Sequence, residues 1–471
     1  MSKVYITTTL PYVNADPHIG FALEIVQADA WARAHKLAGD EVIFNTGTDE
    51  HGMKIYEKAK EAGKDPQEYV DEYAAKFHNL KKALDLSYTH FIRTTNPDHK
   101  KAAQEFWHRC EKNGDIYKKN YKIKYCIGCE LPKTDSELVN GRCPLHPNKD
   151  LEIIAEENYF FRFSKYQKKL LDLYEKNPDF VKPAHRLDEI KKFVTAGLED
   201  YSISRLKKKM PWGVSVPGDD DHVIYVWFDA LINYISTLGW PNNEKNFNDF
   251  WPGIQVAGKD NLRQQSAMWQ AMLMSAGLPP SKQIFIHGFI TNKGEKISKS
   301  LGNVIDPFEL VKKYGTDAVR YYLLDEIPTL EDGDFSYDRM AQLYESNLAN
   351  ELGNLVSRVT TLAENDGLEI KIKENFSFKY MSEVNEFKIN SALEDIWNQI
   401  KKLNKTINEK EPWKMDSKQR STWLIDWLKG LYNIANDLKP FLPDTAEKIM
   451  TATSGKIKKI QPLFPRINKI G

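Results

Sequence analysis

With 471 residues, 41% of them hydrophobic, the chain has room for roughly two to four domains around sizeable cores. Its 66 lysines and arginines balance 66 aspartates and glutamates, so net charge argues neither for nor against a nucleic-acid partner. No apolar run approaches the ~18 residues that a membrane span needs, no signal peptide opens the chain, and four cysteines are too few for a secreted disulfide framework, which points to a reducing, cytoplasmic setting.

Residues 4–9 are β-branched and apolar, the composition of a buried strand. A turn rich in Pro, Asn and Asp follows, and then a helical run over 19–35. Residues 41–44 and 90–93 read as further strands, with helices over 66–84 and 97–113. This alternation predicts an α/β fold with a doubly wound parallel sheet. From Ile116 the pattern breaks into short strands, turns and cysteines. It recovers at 223–227, with more strands expected at 253–257 and 283–286, so the sheet is expected to be split by an insertion. Beyond Asp338 the pattern is helical over 344–363, 384–404, 421–438 and from Pro443 onward, which predicts a separate all-α bundle. The expected divisions are 1–115 and 221–290 for the halves of the sheet domain, 116–220 for the insertion, 291–340 for a loop region and 341–471 for the bundle.

Residues with chemical potential gather where strands end. His18-Ile19-Gly20 lies where the first strand gives way to a helix. A helix N-terminus offers phosphate its unpaired N–H groups and partial positive charge; Gly20 permits close backbone approach, and His18 can donate to a phosphate oxygen. An ordinary capped helix start is the plainer reading. Far downstream, Lys296-Ile-Ser-Lys299-Ser300 occupies a loop punctuated by Gly and Ser, where two lysines can close over a polyphosphate. Alone, such a pair is usually a solvated surface feature. Asp49 and His51 fall at the rim where doubly wound sheets bind ligands, although two turn caps would look the same. Cys126 and Cys129, then thirteen residues, then Cys143 and His146 have the spacing of a tetrahedral zinc site. Four protein ligands leave no open position, so that zinc is expected to be structural. Cys110 remains as a buried thiol. Basic clusters at 118–124, 205–209 and 456–459 read as solvated faces.

The stretch from Pro11 to Phe21 and the stretch from His287 to Asn303 resemble, in that order, the HIGH and KMSKS signatures of class I aminoacyl-tRNA synthetases. Leu10-Pro11-Tyr12, Asp49-Glu50-His51-Gly52, Val226-Trp227-Phe228-Asp229-Ala230 and Gly258-Lys259-Asp260 narrow the likeness to the methionyl-tRNA synthetase family, and it extends to Leu463-Phe464-Pro465-Arg466. The resemblance implies a Rossmann-type nucleotide-binding sheet, a connective-peptide insertion with a zinc knuckle that helps to orient the tRNA acceptor end, and an anticodon-binding bundle. It implies ligation of L-methionine to tRNA(Met) through methionyl-adenylate, with ATP and Mg²⁺. His18, Lys296 and Lys299 would be catalytic, and Gly20, Gly258, Asp260, His287 and Gly288 would also contact ATP. Asp49 would hold the α-ammonium, and Leu10, Tyr12, Trp227, Ala230, Tyr234, Gln265 and Trp269 would form the rest of the methionine site. Asn347, Asn350, Arg358 and Trp413 would read the anticodon; Pro412 should end the preceding helix and expose Trp413. Without the resemblance, these aromatic residues would be read as core.

Two positions depart from the family pattern. Phe21 stands where a second histidine is usual and cannot hydrogen-bond phosphate. Gln264-Gln265 stands where a Phe-His pair is expected. Other readings fit less well. A cysteine-specific synthetase would carry its zinc ligands in the active site, and an enzyme for a branched amino acid would need an editing insertion for which 116–221 leaves little room. A zinc-bearing RNA-binding relative with a decayed site would explain Phe21 and the glutamines, but not the intact His18, Asp49, Lys296 and Lys299. No further tRNA-binding or dimerisation domain is visible after the bundle, so a monomer is expected.

Overall fold

A computed structural model describes residues 1–129, 131–133, 135–292, 294–297, 303–372 and 379–467. At its centre these residues form a six-stranded parallel sheet. Strands β1 (Lys3–Thr7), β2 (Glu41–Thr48), β3 (His90–Arg93), β4 (Val181–Lys182), β5 (Ile254–Gly258) and β6 (Gln283–His287) lie in the order β3-β2-β1-β5-β6-β4. The chain leaves β1 toward one edge and returns on the other side of it. Strand order therefore reverses between β1 and β5, and a crevice opens beyond their carboxyl ends, where such sheets take ligands.

Helix α1 (Ile19–Leu37) covers one face and is buried on nearly every side. Its alanines at 22, 28, 30, 32 and 34 let it lie close to the sheet, while Ile25, Val26 and Trp31 fill the remaining space. Arg320, fully buried, ties this helix to the C-terminal region. Its guanidinium pairs with Asp29 of α1 at 2.8 Å and donates to the carbonyls of Leu84, Pro440 and Phe441 at 2.8–3.0 Å. A buried guanidinium needs this degree of satisfaction to be tolerated.

The expected insertion is a long antiparallel pair, Ile116–Cys126 with Glu152–Phe161, flanked by Leu131–Lys133 and Tyr201–Ser202. Within the same stretch of sequence, β4 returns to the central sheet and completes its edge. Residues 223–227, expected as one strand, divide. Asp219–Ile224 joins a small antiparallel sheet, and Val226–Ala230 winds into a short helix. A five-residue apolar run fits either state; packing decides, because the helical turn drives Phe228 between Phe106 and Trp107. A further helix, Met53–Glu61, was not anticipated.

In the C-terminal part, Tyr337–Leu343, Tyr344–Gly353 and Asn354–Asn365 follow one another without a break, and Ile389–Lys410, Ser417–Leu438 and Pro443–Ala452 pack with them. Leu355, Val359, Leu393, Ile400, Leu428 and Leu431 are buried in its core. That core is continuous with the α1 face of the sheet.

Candidate active site

His18 caps α1: its backbone is extended, and its Nδ1 accepts from the Gly20 N–H at 3.1 Å. A Cβ on Gly20 would lie 2.9 Å from the His18 ring, so glycine is what allows the cap. The first backbone N–H of the helix, that of Ile19, donates to the carbonyl of Ile305 at 3.0 Å, which joins the helix start to the segment after the lysine loop. Phe21 turns away and packs edge-on against Phe77. The departure at this position thus adds apolar packing beside the helix.

The strands Ile290–Asn292 and Glu295–Lys296 form a hairpin, with Thr291 opposite Lys296. Asp334 holds it, accepting from Gly294 N at 2.9 Å and Thr291 Oγ1 at 2.8 Å. The hairpin brings the Lys296 backbone to the approach of the loop; Lys299 lies outside the described residues. Gly258 ends β5, and Asp260 is exposed on the turn just beyond it. Lys259 forms an ion pair with Asp332 at 2.6 Å. Gly288 is wedged against the backbone of Glu331, where a Cβ would come within 2.2 Å. His287 is buried with both ring nitrogens engaged inside the protein, on Glu24 and on the Gly288 carbonyl.

Tyr12 and Asp49 bridge in parallel, with Asp49 N on the Pro11 carbonyl at 3.0 Å and Val13 N on the Asp49 carbonyl at 3.2 Å. Gly52, at φ +123°, is required here, since a Cβ would fall 2.2 Å from the Tyr12 hydroxyl. His51 Nδ1 meets Asp229 at 2.7 Å, and His99 Nε2 meets the other oxygen at 2.9 Å. Burial alone would raise the Asp229 carboxyl, but the two histidines outweigh it and hold the group well below the usual carboxylate range. His99 was not singled out from sequence, because only the fold brings it to Asp229.

Leu10 is half-buried and Ala230 buried. Trp227 packs against the Tyr125–Tyr225 pair, as does Ile127, which links it to the base of the cysteine cluster. Trp269 is fully buried against Phe106, Tyr234 and Trp251. Gln264–Met268 is a widened π-type turn, a form of helix that often accompanies function. On it, Gln265 Nε2 donates to the Tyr234 hydroxyl at 2.6 Å. Burial pushes that hydroxyl's pKa well up, so it keeps its proton, and the donation from Gln265 leaves this proton free to be directed elsewhere. The Gln265 Oε1 atom is buried with no hydrogen-bond partner among the described residues.

Ligand atoms of Cys126, Cys129, Cys143 and His146 all lie within 4.8 Å of one another. Three thiols and an imidazole at this separation fit a tetrahedral thiophilic ion, whose bonds to sulfur are about 2.3 Å long. Gly128 is part of the fit, because a Cβ there would strike the His146 ring at 2.4 Å.

In the bundle, Asn350 and Arg358 line a groove of about 630 Å³. Trp413 is 52% exposed, with the Arg358 guanidinium 5.6 Å from its ring centre. Asn347 turns instead toward the Tyr321 hydroxyl, to which it donates at 2.8 Å.

A family model for class I tRNA synthetases (M) matches residues 4–152 and 134–360. The methionine–tRNA ligase of Thermotoga maritima is 42% identical, over 96% of this chain and 75% of its own length. That of Brucella melitensis is 40% identical, over 98% and 93% respectively. A solved structure of Mycobacterium tuberculosis methionyl-tRNA synthetase in complex with methionyl-adenylate superposes with a TM-score of 0.93 at 35% identity, covering 99% of this chain and all of that one. The chain and its sheet are those of a class I aminoacyl-tRNA synthetase. Within that class, the chain belongs to the methionyl-tRNA synthetase family.

Among the described residues no helix is long and apolar enough to cross a membrane.

Proposed function

We propose that this chain ligates L-methionine to tRNA(Met) in two steps at the β1/β5 crevice. The methionine carboxylate attacks the α-phosphate of ATP, which enters with Mg²⁺; the bond to pyrophosphate breaks and methionyl-adenylate forms. A terminal adenosine hydroxyl of tRNA then takes the methionyl group and AMP leaves. No protein nucleophile is needed. The observation that carries this reading is the junction of Ile19 N with the Ile305 carbonyl at 3.0 Å, which brings the His18 helix start and the segment following the lysine loop together. In the reading, His18 faces the triphosphate with the positive end of α1 behind it, since the Ile19 and Gly20 N–H groups are spent on Ile305 and His18; Gly20 and Gly258 allow close approach, and Asp260 holds the ribose. Lys296 and Lys299 offset charge that develops on the leaving pyrophosphate. His287 and Gly288 act behind the ATP site rather than on the nucleotide. Asp49 holds the methionine ammonium, while Leu10, Tyr12, Trp227, Ala230, Tyr234, Gln265 and Trp269 shape the side-chain pocket.

The cysteine–histidine cluster would hold Zn²⁺ as a structural ion, stiffening the insertion that meets the tRNA acceptor end. Residues 1–115 and 221–290, completed by the β4 edge strand at 181–182, make the catalytic domain, the rest of 116–220 the connective peptide, 291–340 the lysine-loop region and 341–471 the anticodon-binding domain of a cytoplasmic monomer. Methionine-dependent ATP–pyrophosphate exchange, compared across the twenty amino acids, tests the assignment; exchange driven best by another amino acid overturns it.

Two expected results sharpen it. Trp413, exposed under Arg358, stacks on an anticodon base, so Trp413→Ala should weaken tRNA(Met) binding by ~1–3 kcal/mol while pyrophosphate exchange stays intact. Loss of both activities together would make Trp413 a structural residue. In the pocket, the Gln265 amide is spent on Tyr234, and the Tyr234 O–H is the donor to the thioether. Selectivity for methionine over norleucine should be modest, about ten- to two-hundred-fold, because shape dominates. Gln265→Leu should narrow it by freeing the Tyr234 hydroxyl to turn. The ratio of kcat/KM values for the two amino acids is the measurement, and an unchanged ratio removes Gln265 from sulfur recognition.

A further inference from the structure

Glu24 is one of two acids buried on α1, the other being Asp29, and it is only 4% exposed. Its Oε1 accepts from Thr9 N at 2.7 Å and from Thr9 Oγ1 at 2.6 Å. Its Oε2 meets His287 Nε2 at 3.0 Å, and His287 Nδ1 reaches the Gly288 carbonyl at 2.7 Å. With acceptors at both nitrogens the ring is suited to carry two protons. Burial alone would lower the His287 pKa, but the Glu24 carboxylate and the Gly288 carbonyl outweigh it and raise it. A buried carboxylate is tolerated only when paired and hydrogen-bonded, and both of these oxygens are used.

His287 lies 263 residues beyond Glu24 in sequence, and it joins the first strand and the first helix at the crevice. Thr9 leads from β1 into the turn that ends at His18. Glu24 sits on α1, which His18 caps. His287 and Gly288 lead from β6 into the lysine hairpin, and Gly288 is itself pinned against Glu331.

We propose that Glu24 is a positioning residue for adenylation, holding Thr9 and His287 against α1 so that the His18 helix start and the lysine hairpin keep one fixed separation. The proposal rests on the functional reading above, in which both ends act on a single triphosphate. The chemistry is hydrogen bonding, and it predicts which substitutions are tolerated. In Glu24→Gln the amide oxygen still accepts from Thr9. The amide N–H can donate to His287 Nε2 once that ring is the neutral tautomer protonated at Nδ1, which keeps its bond to Gly288. In Glu24→Ala every one of these links is lost.

A displacement of about 1 Å at reacting groups can lower a rate roughly a hundredfold. Glu24→Ala is therefore expected to lower the kcat of methionine-dependent pyrophosphate exchange by about a hundredfold, with the methionine KM within about threefold of wild type, and Glu24→Gln to restore kcat to within about fivefold. Hydrogen exchange read by mass spectrometry on the ligand-free protein gives a second readout that needs no activity. Glu24→Ala should speed exchange at 8–13 and 287–292 together, and Glu24→Gln should speed neither. His287→Asn cuts the same link from the other side and should also loosen both segments, which covers a Glu24→Ala protein that does not fold. If Glu24→Gln is as inactive as Glu24→Ala while both segments exchange as in wild type, Glu24 acts on the substrate directly and the positioning role is wrong. If neither Glu24→Ala nor His287→Asn loosens the two segments in concert, the proposal fails whatever the activity. A wild-type protein without methionine-dependent exchange would instead overturn the functional reading, and the hydrogen-exchange comparison would still decide whether Glu24 couples the two segments.

Discussion

Replacing Lys299 by alanine is expected to lower the adenylation rate by about ten- to a thousand-fold, with the KM for ATP close to wild type. The direction follows from where charge appears. Negative charge grows on the pyrophosphate as its bond to the α-phosphate breaks, so a cation held near that position stabilises the transition state more than bound ATP. Such a cation is effective when its frame is already in place and need not reorganise. The described residues that flank the loop are held in place: Asp334 fastens the hairpin at Gly294 and Thr291, and Ile297 and Ile305 are buried. Pre-steady-state measurement of adenylate formation separates the two effects. A Lys299→Ala protein with normal single-turnover rate and only a raised KM would assign the lysine to ground-state binding.

Metal removal is expected to give the second large effect. Metal analysis should find about one zinc per chain, and Cys126→Ala should abolish it. Binding of a structural zinc is worth on the order of 10 kcal/mol, far more than the apolar contacts at the tip of the insertion can replace. Val139, Leu145 and Ile153 are exposed there, so this lobe has little core of its own. Chelation or Cys126→Ala should therefore open the region around 126–150 to limited proteolysis and leave the central sheet intact. Any effect on adenylation is expected to enter through the Tyr125–Tyr225 pair, against which both Ile127 and Trp227 pack. Purified protein with full activity, native protease resistance and no metal would end this account.

Much of the fold was legible because local pattern and tertiary role agree. The β-branched runs at β1 and β6 are buried as strands, and Pro66 and Pro97 open their helices behind Asp65 and Asn96 caps. Legibility failed where a short apolar run was compatible with two states. Residues 223–227 split because Phe228 had a core slot to fill, which no local pattern records. Strand β4 was missed for a similar reason: two residues inside a stretch of helices and turns become a strand only because β6 offers them an edge. At the site, His18 and Asp49 were singled out only by their resemblance to a family signature, whereas the cysteine–histidine cluster could be found from residue type and spacing. Glu24 and His99 could not, since each acquires meaning from a partner more than a hundred residues away. A charged residue in the midst of an alanine-rich helix was the one visible signal for Glu24. His287 matched a signature, yet its ring turned out to serve the protein's interior.

The order of strands in the sheet bears on how the chain must be made. Ile6, on β1, takes Ile254 of β5 as its neighbour, so the two central strands are among the most widely separated in sequence. A ribosome adding about 5–20 residues per second needs roughly ten to fifty seconds to travel from one to the other. Throughout that interval β3, β2 and β1 can pair, but β1 presents an open hydrogen-bonding edge, and the apolar surface meant for the later strands stays uncovered. An unpaired parallel edge of this kind invites intermolecular pairing. The nascent protein is thus most vulnerable in the middle of its own synthesis, and its dependence on chaperones should be greatest for chains stalled before residue 254.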